Sequence, residues 1–180
     1  MASENVYIGT YAKDGNMNVM IGHEAGLFNE GGSGNVFVGR SSAIENRQGS
    51  NNVCVGLDTG RMNENGEINT YVGFTAGLNN KGNNNIAIGS FSGHNTSNSV
   101  IAIGNSTGAK GDSCIDNAVC IGHCSKTAHN NTIVLSAAGR VEASNPGGFF
   151  VKPIRCLAKD GVPSKCVWYN EETSELCFAP

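Results

Sequence analysis

The sequence predicts an all-β chain: a parallel β-roll or β-solenoid of about nine short coils, closed by a small C-terminal β cap. Three observations carry this expectation. A five-residue phrase recurs along the chain, its copies keep a near-constant spacing, and each copy is apolar on both faces.

The phrase is Asn, aliphatic, any residue, aliphatic, Gly. It reads Asn5-Val6-Tyr7-Ile8-Gly9, Asn18-Val19-Met20-Ile21-Gly22, Asn35-Val36-Phe37-Val38-Gly39, Asn52-Val53-Cys54-Val55-Gly56, Asn69-Thr70-Tyr71-Val72-Gly73 and Asn85-Ile86-Ala87-Ile88-Gly89. Looser copies follow at Ile101-Ala102-Ile103-Gly104, Val119-Cys120-Ile121-Gly122 and Ile133-Val134-Leu135-Ser136. The glycines fall at 9, 22, 39, 56, 73, 89, 104 and 122, in steps of 13, 17, 17, 17, 16, 15 and 18 residues. Helical-hairpin repeats and propeller blades need roughly 33 residues or more. The observed steps suit one solenoid coil: a short strand, a turn, a second short extended piece and another turn. Four residues after the glycine stands a small residue, as at Gly26, Ala43, Gly60, Gly77, Gly93 and Gly108. That marks a sharp turn or a close backbone approach. Intervening stretches such as Asn79-Asn80-Lys81-Gly82-Asn83-Asn84 are built from residues that take left-handed turns at low cost.

Successive side chains of a strand point to opposite faces. One face is a ladder of β-branched pairs, Val19/Ile21, Val36/Val38, Val53/Val55 and so on, and it is read as the inside of the coil. The other face consists of Tyr7, Met20, Phe37, Cys54, Tyr71, Ala87, Ala102, Cys120 and Val134. A lone solenoid would alternate apolar with polar. A strand apolar on both sides is covered on both sides, and one thin coil has little apolar material to spare. The middle residues from Tyr7 to Cys120 are therefore expected to pack against other copies of the same chain, in a parallel homo-oligomer.

Composition narrows the function classes. The net charge is −3, and no basic stripe for nucleic acid is visible. No stretch is long and apolar enough to span a membrane, and the first residues lack the pattern of a secretory signal. The chain has seven cysteines, at 54, 114, 120, 124, 156, 166 and 177. An odd number with no signal favours reduced thiols. The cluster Cys114, Cys120, His123, Cys124 and His129 fits no standard zinc spacing, so no metal, cofactor or catalytic residue is assigned.

The repeat occupies residues 1–142, and the texture changes over 143–180. Asn145-Pro146-Gly147-Gly148 is a turn signal. Phe149-Phe150-Val151, Val167-Trp168-Tyr169 and Leu176-Cys177-Phe178 read as strands, the last two forming a hairpin around Glu171-Glu172-Thr173-Ser174. Arrays need atypical ends, so this segment is read as a cap or knob.

The phrases Asn84-Asn85-Ile86-Ala87-Ile88-Gly89 and Asn98-Ser99-Val100-Ile101-Ala102-Ile103-Gly104 resemble the head repeats of YadA-type trimeric adhesins. The longer units, such as Asn69 to Gly77, are similar to repeats in tail-fibre and surface-fibre proteins of phages and large DNA viruses. So is the ending, from Gly148-Phe149-Phe150-Val151-Lys152-Pro153 to Trp168-Tyr169-Asn170. The resemblance implies a homotrimer and a virion structural or attachment protein, made in the host cytoplasm and displayed on the particle surface. Its implied partners are other virion proteins and a host cell-surface glycan or receptor. Recognition would lie in the polar loops Phe28-Asn29-Glu30, Arg47-Gln48, Arg61-Met62-Asn63 and Lys81-Gly82-Asn83, with Arg47, Arg61, Asn63 and Lys81 as the candidate contacts.

An enzymatic alternative is a left-handed β-helix acyltransferase, also a trimeric solenoid. It needs an aliphatic residue at every sixth position and a placed histidine. The steps here vary, and His23 and His123 merely follow the repeat glycine, with no obvious carboxylate partner in their own coils. An ice- or mineral-binding solenoid would show a regular threonine array, which this chain lacks.

Overall fold

The computed structural model describes residues 5–9, 15–109, 115–137, 140–143 and 147–152, together with the backbone of 167–170 and 175–178. Each copy of the phrase forms one strand of three residues, or four in the last copy. These are β1 (Val6–Ile8), β2 (Val19–Ile21), β3 (Val36–Val38), β4 (Val53–Val55), β5 (Thr70–Val72), β6 (Ile86–Ile88) and β7 (Ile101–Ile103). After β8 (Gly108–Ala109) come β9 (Val119–Ile121), β10 (Ser125–Thr127), β11 (Ile133–Ser136), β12 (Val141–Ala143) and β13 (Phe149–Lys152). All of the repeat strands stack in parallel in one ten-stranded sheet, β1-β2-β3-β4-β5-β6-β7-β9-β11-β13. The chain is thus an all-β solenoid of about eight turns, with the strand register set by the phrase.

A second extended piece forms only late, in the three-stranded sheet β12-β10-β8. In the earlier coils that side is made of turns. The second residue after each repeat glycine is left-handed: Glu24, Ser41, Asp58, Thr75 and Phe91 have φ between 51° and 59°. So is the residue before each strand's asparagine, as at Met17, Asn51, Ile68 and Asn84. Each coil therefore closes through a fixed set of reversals.

The two faces are inverted relative to the expectation. The middle residues Met20, Phe37, Cys54, Tyr71, Ala87, Ala102 and Cys120 are all buried, at 0–2 % exposure, inside the single chain's own coil. They need no sister copy to cover them, so they are the core and not a trimer interface. Tyr7, in the first strand, is 43 % exposed. The β-branched pairs point outward: Val36, Val38, Val53 and Val55 are half-buried, while Val72, Ile86 and Ile88 are exposed at 36–39 %. The reason is cross-section. Met20, Ala25, Phe37, Ala43, Cys54, Tyr71, Ala76 and Ala87 form one continuous cluster, in which small residues on the turn side face bulky ones on the strand side. A Cβ added at Gly77 would run into the Tyr71 ring, and one at Gly60 would meet Cys54 Sγ at 2.8 Å. The interior is wide enough for one large side chain per coil.

The strand asparagines are buried as well. Each hands its side-chain oxygen to the backbone N–H of the next coil's equivalent residue. The backbone N–H groups of Asn18, Asn35, Asn52, Asn69 and Asn85 donate to the Oδ1 of the preceding asparagine at 2.8–3.0 Å. The Val100 N–H donates the last of these bonds, to Asn85 Oδ1, at 2.9 Å. Their amide NH2 groups donate to loop carbonyls, Asn35 to Gly49 O at 2.9 Å and Asn52 to Gly66 O at 2.8 Å. A buried amide is tolerated because donor and acceptor are both paired.

In the C-terminal segment, β13 pairs in parallel with β11 and so continues the main sheet beyond residue 142. The strands β14 (Val167–Asn170) and β15 (Glu175–Phe178) form the expected antiparallel hairpin. Residues 144–146 and 171–174, where the sequence predicts turns, lie outside the described residues, as do Cys114, Cys156 and Cys166.

Candidate functional site

Two surface features stand out. The first is the outer aliphatic ladder, which runs along the sheet from coil to coil. The second is the loop edge, where each coil turns from the glycine-rich side back to the next strand.

The loop edge is organised by a second column of asparagines. Asn29, Asn46 and Asn63 each donate their amide to the carbonyl three residues on, at Gly32, Gly49 and Gly66, over 2.9–3.1 Å. All three are fully buried. Asn63 is thus a structural turn residue facing inward and does not reach a receptor, and the same holds for Asn29 in the first candidate loop. A short polar side chain that closes its own turn has nothing left to offer outside.

The candidate cations sit outside this column. Arg47 pairs with Glu30 at 2.8 Å, and its guanidinium lies 5.8 Å from the centre of the Phe28 ring. Arg61 lies 3.7 Å from Asp58. Both are held by neighbours within the chain. Lys81 is exposed and makes no ion pair among the described residues.

Lys81 borders a recess of about 520 Å3, lined also by Met62, Asn79, Gly82, Asn95, Thr96, Ser97 and Asn98. A smaller hollow of about 290 Å3 adjoins it at Asn95 and is lined by Phe91, His94, Ser106, Thr107, Ala109 and Lys126. His94 Nε2 lies 2.8 Å from the Thr75 carbonyl. Burial pushes the His94 pKa below its ordinary value, against the opposing pull of that carbonyl, and nearby Lys126 adds to the lowering. At neutral pH the ring is uncharged, so Lys81 and Lys126 are the cations of the two hollows. Phe74 and Phe91 stack edge-to-face beside them at 5.1 Å.

The other titratable candidates are inert or superficial. Burial raises the thiol pKa of Cys54, and raises that of Cys120 to about 11 against a weak bond to the Gly108 carbonyl. Both are core residues and not nucleophiles. His23 does have a carboxylate neighbour, Glu24 at 3.6 Å, contrary to expectation; the pair is on the open surface. His123 Nε2 lies 3.3 Å from Cys124 Sγ. Among the described residues no group of three His, Cys, Asp or Glu side chains is placed to hold a metal ion. No described helix is long and apolar enough to cross a membrane.

No family model, curated protein or solved structure matches the chain.

Proposed function

We propose that the chain is a segment of a homotrimeric virion fibre or spike, whose polar loop edge contacts a host surface. The observation that carries this reading is the outer aliphatic ladder. A β-solenoid can keep polar residues on its outer face, yet here Val19/Ile21 through Val119/Ile121 put at least one aliphatic side chain there in every coil, Thr70 being the one polar member. Burying such a stripe stabilises by about 25 cal/mol per Å2, and sister copies in parallel register present the same stripe at the same height. The adhesin-like and fibre-like phrases supply the number three. The association surface therefore moves from the strand's middle residues to their neighbours. Trimerisation in this geometry leaves the loop edge, with Arg47, Arg61 and Lys81, free to meet a partner.

The test is a glycan-array screen of the purified oligomer beside an Arg47→Ala, Arg61→Ala, Lys81→Ala triple variant. Binding to a defined glycan class that the triple variant loses supports attachment through this edge. An oligomer that binds no glycan and no host-cell surface contradicts it.

A further inference from the structure

The large recess is a consequence of coil length. Five residues separate the two inward asparagines in the loops Asn46–Asn52 and Asn63–Asn69. Four separate Asn80 from Asn85, and three separate the corresponding Thr96 and Val100. The loop edge thus retreats by one residue in each of two successive coils. Met62, on the last full-length coil, stands as a ledge above the shortened ones. The asparagine column breaks at the same step. Asn80 turns its amide to the Thr96 hydroxyl, and the buried Oδ1 of Asn63 is left with no donor.

The chemistry of the lining is specific. Thr96 is used up between Asn80 and the Gly93 carbonyl. Asn98 is held by Asp116, at 3.1 Å from its amide, and by the Asn83 N–H at 2.9 Å. The Asn79 amide, the Ser97 hydroxyl and the Lys81 ammonium make no hydrogen bond or ion pair among the described residues. Asn79 is held left-handed at φ 58°, a conformation fixed by the fold. One amide, one hydroxyl, one ammonium and an exposed thioether, with no carboxylate in the lining, describe a particular ligand. The amide and hydroxyl suit vicinal hydroxyls, Met62 suits a C–H face, and Lys81 suits an anion. The volume falls in the range of about 300–1,000 Å3 usual for small-molecule sites.

We infer that this step in the loop edge is a binding site for a carboxylated sugar, with Lys81 on the carboxylate and Asn79 and Ser97 on the ring hydroxyls. The adjoining hollow, past Asn95, takes the next sugar of the glycan against Phe91 and toward Lys126. This assignment rests on the attachment reading and sharpens it, from a polar edge to one recess and one sugar class.

The test is titration of the intact chain with 3′-sialyllactose, and with lactose as the neutral control, followed by saturation-transfer NMR. Wild type is expected to bind the sialylated sugar and to bind lactose at least about tenfold more weakly, the loss of one charge-assisted contact. Lys81→Gln and Asn79→Gly, in which glycine keeps the left-handed backbone, are expected to weaken sialyllactose about five- to tenfold, with near-unchanged thermal melting, while Arg40→Gln, exposed and outside both hollows, leaves it unaltered. Equal binding of both sugars, or undiminished binding by Lys81→Gln, overturns the assignment. If sialyllactose fails while the array still finds another glycan that the triple variant loses, this inference falls and the attachment reading stands. If the array is also blank, both fall.

Discussion

Asn52 Oδ1 accepts the backbone N–H of Asn69, one coil further on, at 3.0 Å, and the Asn69 amide donates to the same oxygen at 3.1 Å. This bond joins side chain to main chain across neighbouring coils, and it fixes how far each coil can slide over the last. Register in short parallel strands is otherwise weakly specified, because three residues make few ladder bonds.

Asn52→Ala is expected to leave the Asn69 N–H buried without a partner, while the Gly66 carbonyl keeps the Asn63 amide. One unsatisfied buried group costs about 1–3 kcal/mol, so a loss of about 2 kcal/mol should appear as a lower urea midpoint at unchanged slope. A loss under about 0.5 kcal/mol, the range of an ordinary surface substitution, would show that the ladder is incidental.

The left-handed positions predict opposite effects at two sites. Ile68 holds φ 57° with its side chain 56 % exposed, so Ile68→Asn removes a backbone penalty of about 1 kcal/mol and gives up little packing. Gly56, at φ 137°, faces the Gly73 carbonyl so closely that a Cβ would collide with it. Gly56→Ala should destabilise by more than the ~1 kcal/mol that Ile68→Asn gains. Thermal melting of the two variants beside wild type checks both signs.

Adjacent residues on opposite faces should behave oppositely. Phe37 is fully buried and Val38 is half-buried on the outer ladder. Phe37→Ala is expected to cost about 3–5 kcal/mol through the cavity it leaves, and Phe37→Lys to prevent folding. Val38→Lys should keep a cooperative melt and a native β circular-dichroism spectrum. If Val38→Lys unfolds the chain while Phe37→Lys is tolerated, the assignment of the faces is wrong.

His94 predicts a pH dependence. Its folded-state pKa lies below the ordinary 6.5 because of burial, so on acidification the unfolded chain takes up the proton first. The preference for the neutral ring is fully present above about pH 6.5 and is lost as pH falls from there through the folded-state value. Wild type should therefore lose more melting temperature between pH 7.5 and 5.5 than His94→Gln does. Parallel slopes would contradict this.

Much of the fold is legible in the sequence. The phrase marks each strand to the residue, as at Val36–Val38 and Val53–Val55, and the C-terminal hairpin strands fall where aromatic runs flank an acidic turn. The sense of the faces is not legible from alternation, because a period of two carries no sign when both sides are apolar. A size relation does carry it: a glycine four residues after the repeat glycine stands where the bulky middle residue needs room, as Gly77 does for Tyr71. The asparagines read as turn formers because those residues favour turns. Their strict place before each strand from Asn5 to Asn85 is the mark of a ladder, since a turn former need not keep register. Of the loop candidates, Lys81 opens on the recess while Asn63 is buried. What separates them is a one-residue shortening that only the stacking of coils converts into a cavity.

The account turns on the outer ladder being covered by sister copies while the middle residues line each chain's own core. Multi-angle light scattering of the intact chain at micromolar concentration tests this most directly. With a chain mass of 18.7 kDa, three copies give 3 × 18.7 = 56.1 kDa. The expected result is that mass for wild type, falling toward 18.7 kDa in a Val38→Lys, Val55→Lys double variant that still melts cooperatively. A wild-type chain that is folded and disperses at 18.7 kDa would contradict it.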